Sequence, residues 1–206
     1  MFTGLRAIGQ GLRSFQQNGY PYIWSNLAFV ALSLPIITAP AAFSALVWVG
    51  YLAQTDPSEA DLAAFWQTFR ANLWRALPWG VFNTLFAFVN FYNLFAYSSL
   101  DGAVITLLEA VWVAGAIVWA GLLLYTWPIY YEMAEPTVLG AMRNALVMVI
   151  RNPLFTLVIV LIIALLAIMS TILVASWLLI TWGAISAIAN AAVLNRLKQF
   201  RTVQQP

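Results

Sequence analysis

Phe2, Leu5, Ile8, Leu12 and Phe15 recur at helical spacing, while Arg6, Gln10, Arg13 and Gln17 fall on other faces. The pattern predicts an amphipathic helix over 2–17 lying in a membrane interface. Polarity then disappears, because residues 22–53 carry no charge. As one straight helix this stretch would measure about 48 Å at about 1.5 Å per residue, well beyond a hydrocarbon core of about 30 Å. A first span over 22–52 therefore has to tilt, kink or break. The segment "LPIITAP" at 34–40 is the place for it, since Pro35 and Pro40 each remove a backbone donor and Thr38 adds a polar group. A static kink at Pro35, Thr38 and Pro40 is expected. Trp24 and Trp48 near the ends of this stretch suit interfacial belts.

Beyond it, Asp56-Pro57-Ser58-Glu59 reads as a helix start, with Asp56 as cap and Pro57 in the first turn. Leu62, Phe65, Trp66, Phe69, Leu73 and Leu77 share one face, so a second interfacial helix is predicted over 57–77 and ended by Pro78. Further spans are predicted over 79–97 and 103–127, with Pro128 as a break, and a third amphipathic helix over 135–151. Residues 154–194 are apolar or weakly polar and fit two spans, 154–172 and 175–194. Their turn falls somewhere in 169–177, where no Gly or Pro marks it.

The fold class expected is therefore all-α: one polytopic membrane bundle over 1–206, with about five spans and three interfacial helices. Seven of the nine basic residues then fall on the side of the 54–78 and 128–153 segments and the tail. The positive-inside rule makes that side cytoplasmic, with the C-terminal tail inside and the N-terminal helix outside. In the alternative arrangement "LPIITAP" is the tip of a re-entrant hairpin, and all nine basic residues share one side.

Composition sharpens this picture. The chain is 63% hydrophobic and 8% charged, against about 45–50% and about 25% in water-soluble domains. The bilayer is thus its first expected partner. A net charge of +2 without a basic block gives no case for nucleic acid. There is no cysteine and no histidine. Disulfides, thiol chemistry, His-ligated haem and the usual zinc and copper sites are excluded, as is Ser-His-Asp or Cys-His catalysis. An enzyme is not expected, nor is a cofactor, a metal or a cleaved leader.

Candidate chemistry centres on Glu109, a carboxylate inside a predicted span. Such a group is costly and is a functional hypothesis by default. Asn83, Asn90, Asn93 and Tyr97 form a stripe on the preceding span. With a turn near 100–101, Glu109 lies at the depth of Tyr92 and Asn93, so a polar seam between the two spans is expected. Its role is either glue for the hairpin, the commoner outcome, or a proton or solute site. Trp112 and Trp119 could stack on a sugar, although packing is the more usual role of a tryptophan in a span.

The first span also carries a resemblance. Asn26-Leu27, Leu34-Pro35, Thr38, Pro40-Ala41 and Ala45-Leu46 resemble the signature of the YesL family, and "FWQTFRANLWRA" at 65–76 resembles that family's aromatic-basic helix. The acidic stretch 56–61 departs from it. The family comprises small integral proteins of the bacterial cytoplasmic membrane with no assigned function. The resemblance implies an accessory role beside a carbohydrate ABC-type importer or a sugar sensor. The competing expectation is a small stand-alone transporter or channel using the Glu/Asn seam. ABC permeases carry a coupling motif in which Gly, Ile and Pro follow the spacing of Gly140, Ile150 and Pro153, here on a helix with Arg143 and Arg151. That helix is a candidate docking site for a partner, although Glu135 sits one position too close to Gly140 for the motif and an ordinary elbow helix fits as well.

Overall fold

The computed structural model describes residues 2–204 and the side chains of 3–202, so the Phe2 side chain expected in the first apolar stripe lies outside the described ones. Nine α-helices follow one another among these residues: α1 (Phe2–Gln17), α2 (Gly19–Ser33), α3 (Ala39–Thr55), α4 (Leu62–Asn72), α5 (Leu77–Tyr97), α6 (Ala103–Glu132), α7 (Val138–Arg151), α8 (Pro153–Ile172) and α9 (Trp182–Gln204). The chain is thus all-α. Three helical stretches are long and apolar enough to cross a membrane: Ala103–Glu132, Pro153–Ile172 and Trp177–Thr202. The helix α5 is long enough, but three asparagines dilute its apolar character.

The 22–52 stretch is not one span. It folds back on itself, so α2 and α3 lie antiparallel: the Tyr22 hydroxyl donates to Gly50 O at 3.2 Å, Asn18 Nδ2 to Ala53 O at 2.9 Å, and the Phe29 and Phe43 rings meet at 6.0 Å. The expected kink at Pro35, Thr38 and Pro40 is a reversal. Pro35 cannot continue the hydrogen-bond ladder of α2. Ile36 takes a left-handed conformation, φ 57°. The Thr38 hydroxyl turns back to Leu32 O, a carbonyl that the end of α2 leaves unpaired, and Pro40 sits in the first turn of α3. A β-branched residue in that backbone region is strained by about 1–2 kcal/mol. Ile36 is largely exposed, so Ile36→Gly should raise stability by about 1 kcal/mol in a detergent unfolding assay, while Ile36→Val should not.

The reversal also overturns the expectation that α1 lies on the opposite side from the tail. The Arg196 guanidinium donates to Thr3 Oγ1 at 3.1 Å and Asn195 Nδ2 to Gln10 Oε1 at 3.3 Å, which sets α1 beside the C-terminal half of α9. Its buried face keeps only Ile8, and in part Phe15, of the predicted apolar stripe. Gly4, Ala7, Ile8, Gly11 and Ser14 point inward, whereas Leu5 and Leu12 are exposed. Small residues let two helix backbones approach closely in an apolar medium.

Other boundaries shift for local reasons. The predicted 57–77 helix is a single 3-10 turn, Pro57–Glu59, followed by α4. Asp61, not Asp56, is the cap, its carboxylate accepting from Ala64 N at 2.7 Å. Pro78 opens α5 rather than only closing α4, as suits a residue with no N–H to leave unpaired. Pro128 does not break α6, which runs on to Glu132. Residues 124–130 are all buried, with Trp127 packed edge-on against Trp79 at 5.7 Å and Tyr130 at 5.2 Å. Neighbouring helices thus hold the segment through the one bond that proline forfeits. The predicted 135–151 helix begins later, where Thr137 Oγ1 caps Gly140 N at 3.2 Å. The turn between α8 and α9 falls at 173–174, helical backbone resumes at 175, and a π-turn, Trp177–Thr181, leads into α9, which continues through the basic segment read as a tail.

Candidate functional site

Two polar constellations and one charged cavity stand out. On the α5–α6 hairpin, the structure assembles part of the expected seam. The indole of Trp119 donates to Asn83 Oδ1 at 2.9 Å, and Asn90 Nδ2 donates to Trp112 O at 2.9 Å. Asn83 also turns to Trp79 O at 2.6 Å, and the Phe86 ring stacks on Trp119 at 5.7 Å. Asn93 and Tyr97 stay out of the seam. Asn93 bonds its own helix at Val89 O, 2.7 Å, and the Tyr97 side chain has no hydrogen bond among the described residues. Glu109 is half-buried and makes no hydrogen bond or ion pair among the described residues. The expected bond from Glu109 to Asn90 or Asn93 is therefore absent, and Asn90 Oδ1 is buried without a partner. Trp119 is held by Asn83, so its indole N–H is already occupied.

This hairpin is an arm. Gly80 packs against Pro40, and Ile36, Thr84 and Leu123 line one cavity. Farther out, only Asn90 is buried in 84–97, and nothing is buried in 103–120.

The second constellation, which apolar periodicity and depth matching do not reveal, lies between α1, α2, α3 and the head of α9. Ser14 Oγ and the Tyr22 hydroxyl are 3.0 Å apart, and Gln54 Nε2 donates to Ala187 O at 3.0 Å. Asn190 Nδ2 donates to Val47 O at 3.0 Å and the Ser186 hydroxyl to Leu46 O at 3.2 Å. Asn26, fully buried, donates to Trp177 O at 3.1 Å and Leu178 O at 2.5 Å, and accepts from Gly183 N at 2.9 Å. Those are groups of the π-turn and the helix start just after it, where the i→i−4 ladder is interrupted. Asn26 thus supplies hydrogen-bond partners at an irregular, partly buried helix start. A signal existed in the sequence: Ser14, Asn18, Tyr22 and Asn26 recur every fourth residue across the α1–α2 boundary, as do Ser186 and Asn190. These side chains bond mainly to backbone carbonyls, which makes them braces of the fold.

The charged cavity, of about 310 Å³, lies where the ends of α6, α7 and α9 meet, lined by Glu132, Arg151, Arg196 and Arg201 over an apolar wall. Glu132 is shared: Oε1 accepts from the Tyr51 hydroxyl at 2.8 Å and Oε2 pairs with Arg201 at 2.8 Å. On α7, Arg143, Ile150 and Arg151 are exposed while Ala141, Ala145, Met148 and Val149 face inward. Gly140 is half-buried and Pro153 opens α8. The candidate docking residues thus leave an outward face of α7 open.

Compared with known proteins, the chain matches no family model, and no curated protein or solved structure matches it.

Proposed function

We propose that the protein is a membrane-embedded interaction protein that packs laterally against another membrane protein through the α5–α6 arm. The observation that carries this reading is Glu109. It stands on an arm with almost no buried residue and has no internal partner among the described residues. It would leave a carboxylate toward lipid at a cost that a partner helix bearing Lys or Arg at the same depth removes. The YesL-like resemblance points to subunits of a carbohydrate importer or a membrane sensor as that partner, in the bacterial cytoplasmic membrane.

The topology that goes with this reading has four crossing helices, α5, α6, α8 and α9. The α2–α3 hairpin enters without crossing, its exposed tip at 34–37 lying short of the far side. Arg6 and Lys198 line one cavity, Arg13 lies beside Gln54 and Pro57, and Arg151, Arg196 and Arg201 line a third. Basic residues from the α1, α7 and α9 segments thus gather at one end, which the positive-inside rule makes cytoplasmic.

A photoreactive residue at Val111 or Phe95, both exposed on the arm, should crosslink in intact cells to one importer or sensor subunit. The same residue at Leu165 on α8 should find lipid. Glu109→Lys should abolish the arm crosslink, and Glu109→Gln should weaken it, both without loss of folded protein. Crosslinks to lipid alone, with purified protein that moves sugar across liposomes unaided, would replace this reading with that of a stand-alone transporter.

A further inference from the structure

We propose that the cavity between the ends of α6, α7 and α9 binds the phosphate of an anionic phospholipid. Three arginines line it against a single carboxylate, Glu132. That carboxylate is already engaged by Arg201 and by the Tyr51 hydroxyl. Neither Arg151 nor Arg196 has a carboxylate within ion-pair distance among the described residues.

Arg196 is held in place for such a role. Its guanidinium lies 3.8 Å from the centre of the Phe155 ring, donates to Gln199 Oε1 at 2.7 Å and reaches Thr3 Oγ1 at 3.1 Å. A guanidinium fixed in this way, with one N–H left on each Nη after these two bonds, matches the planar recognition of phosphate oxygens. Arg151 closes α7 one step before α8 begins, and Arg201 is in the last turns of α9.

The surroundings select an amphiphile over a free anion. Ile129, Met148, Leu197 and Phe200 form the apolar wall of the cavity. All three helical stretches long enough to cross a membrane begin or end here, at Glu132, Pro153 and Thr202. A site at the boundary of hydrocarbon and headgroups meets lipid phosphates at high local concentration. Basic pockets between membrane helices recognise them by charge. A surplus of cationic groups favours a lipid with net negative charge over a zwitterionic one, whose own ammonium is repelled.

The test is native mass spectrometry of the full-length protein in detergent with equal amounts of phosphatidylglycerol and phosphatidylcholine. Phosphatidylglycerol should be retained preferentially. Arg196→Gln and, separately, the exposed Arg151→Gln should each lower its retention about fivefold. Arg143→Gln, on the same helix but outside the cavity, should leave it unchanged. Arg151→Gln keeps the test valid if Arg196→Gln disturbs packing on Phe155. Equal retention of the two lipids, or full retention by Arg151→Gln, would overturn the proposal. Displacement of the lipid by an equal concentration of glycerol 3-phosphate would assign the cavity to soluble phosphate esters and overturn the lipid assignment.

Discussion

Replacing Asn26 with leucine should lower the stability of the protein by about 3 kcal/mol or more. The leucine fills a similar volume but leaves Trp177 O, Leu178 O and Gly183 N without the amide that now serves all three. Each buried backbone group left unpaired costs about 1–3 kcal/mol. Interhelical hydrogen bonds in membrane proteins average only about 0.6 kcal/mol, because a freed group commonly finds another partner nearby. Here the three groups belong to a π-turn and the helix start after it, and one amide serves all of them, so its loss is felt at three places at once. Asn93→Leu is the control, because Asn93 bonds only Val89 O of its own helix. It should change stability by less than about 1 kcal/mol. Equal losses for the two variants, in midpoints of denaturant unfolding in detergent, would mean that Asn26 is not the brace described. Asn26→Asp should be at least as harmful as the leucine, since a carboxylate would face two carbonyl oxygens.

The second large effect sits on α1, where two glycines two positions apart should respond with opposite signs. A Cβ on Gly11 would meet Ala187 O at 2.7 Å and Ile188 Cα at 2.8 Å, both backbone atoms of α9 that cannot rotate away. Gly11→Ala should therefore force the helices apart and cost about 1–3 kcal/mol. A Cβ on Gly9 would meet nothing within 4 Å. Gly9→Ala should stabilise the protein by up to about 1 kcal/mol through helix propensity alone. If both substitutions stabilise, as a free amphipathic helix at an interface would show, the packing of α1 on α9 is wrong. Thermal unfolding of the two variants in the same detergent decides it.

These two sites mark where sequence reasoning stops. The lengths of α1, α5 and α8, and the turn near 173, are legible because the bilayer sets span lengths and helical periodicity marks an amphipathic face. The partner of each face is not. Leu5 and Leu12 look like the buried stripe of α1, yet in an apolar solvent the inward face is the one with small residues, Gly4, Ala7 and Gly11. Likewise Pro35 and Pro40 are compatible with a kink or a reversal. What decides between them is contact distant in sequence, Tyr22 with Gly50 and Phe29 with Phe43. No glycine announces the left-handed turn, since Ile36 occupies it. The asparagine stripe puts Asn83 on the α5–α6 interface, where it is found, but depth matching does not foresee that Trp119 takes its carbonyl. Glu109 has no partner among the described residues, an outcome that only side-chain directions disclose.

The four-crossing topology proposed above rests on one placement: the α2–α3 hairpin returns to the face from which it enters. The chain contains no cysteine, so single cysteines can report it directly. Gln10→Cys, Thr55→Cys and Thr202→Cys, each introduced alone, should react with a membrane-impermeant maleimide from the cytoplasmic side only. Ser99→Cys, in the α5–α6 turn, should react from the opposite side. Reaction of Gln10→Cys and Thr202→Cys from opposite faces would restore a crossing first span and contradict the account.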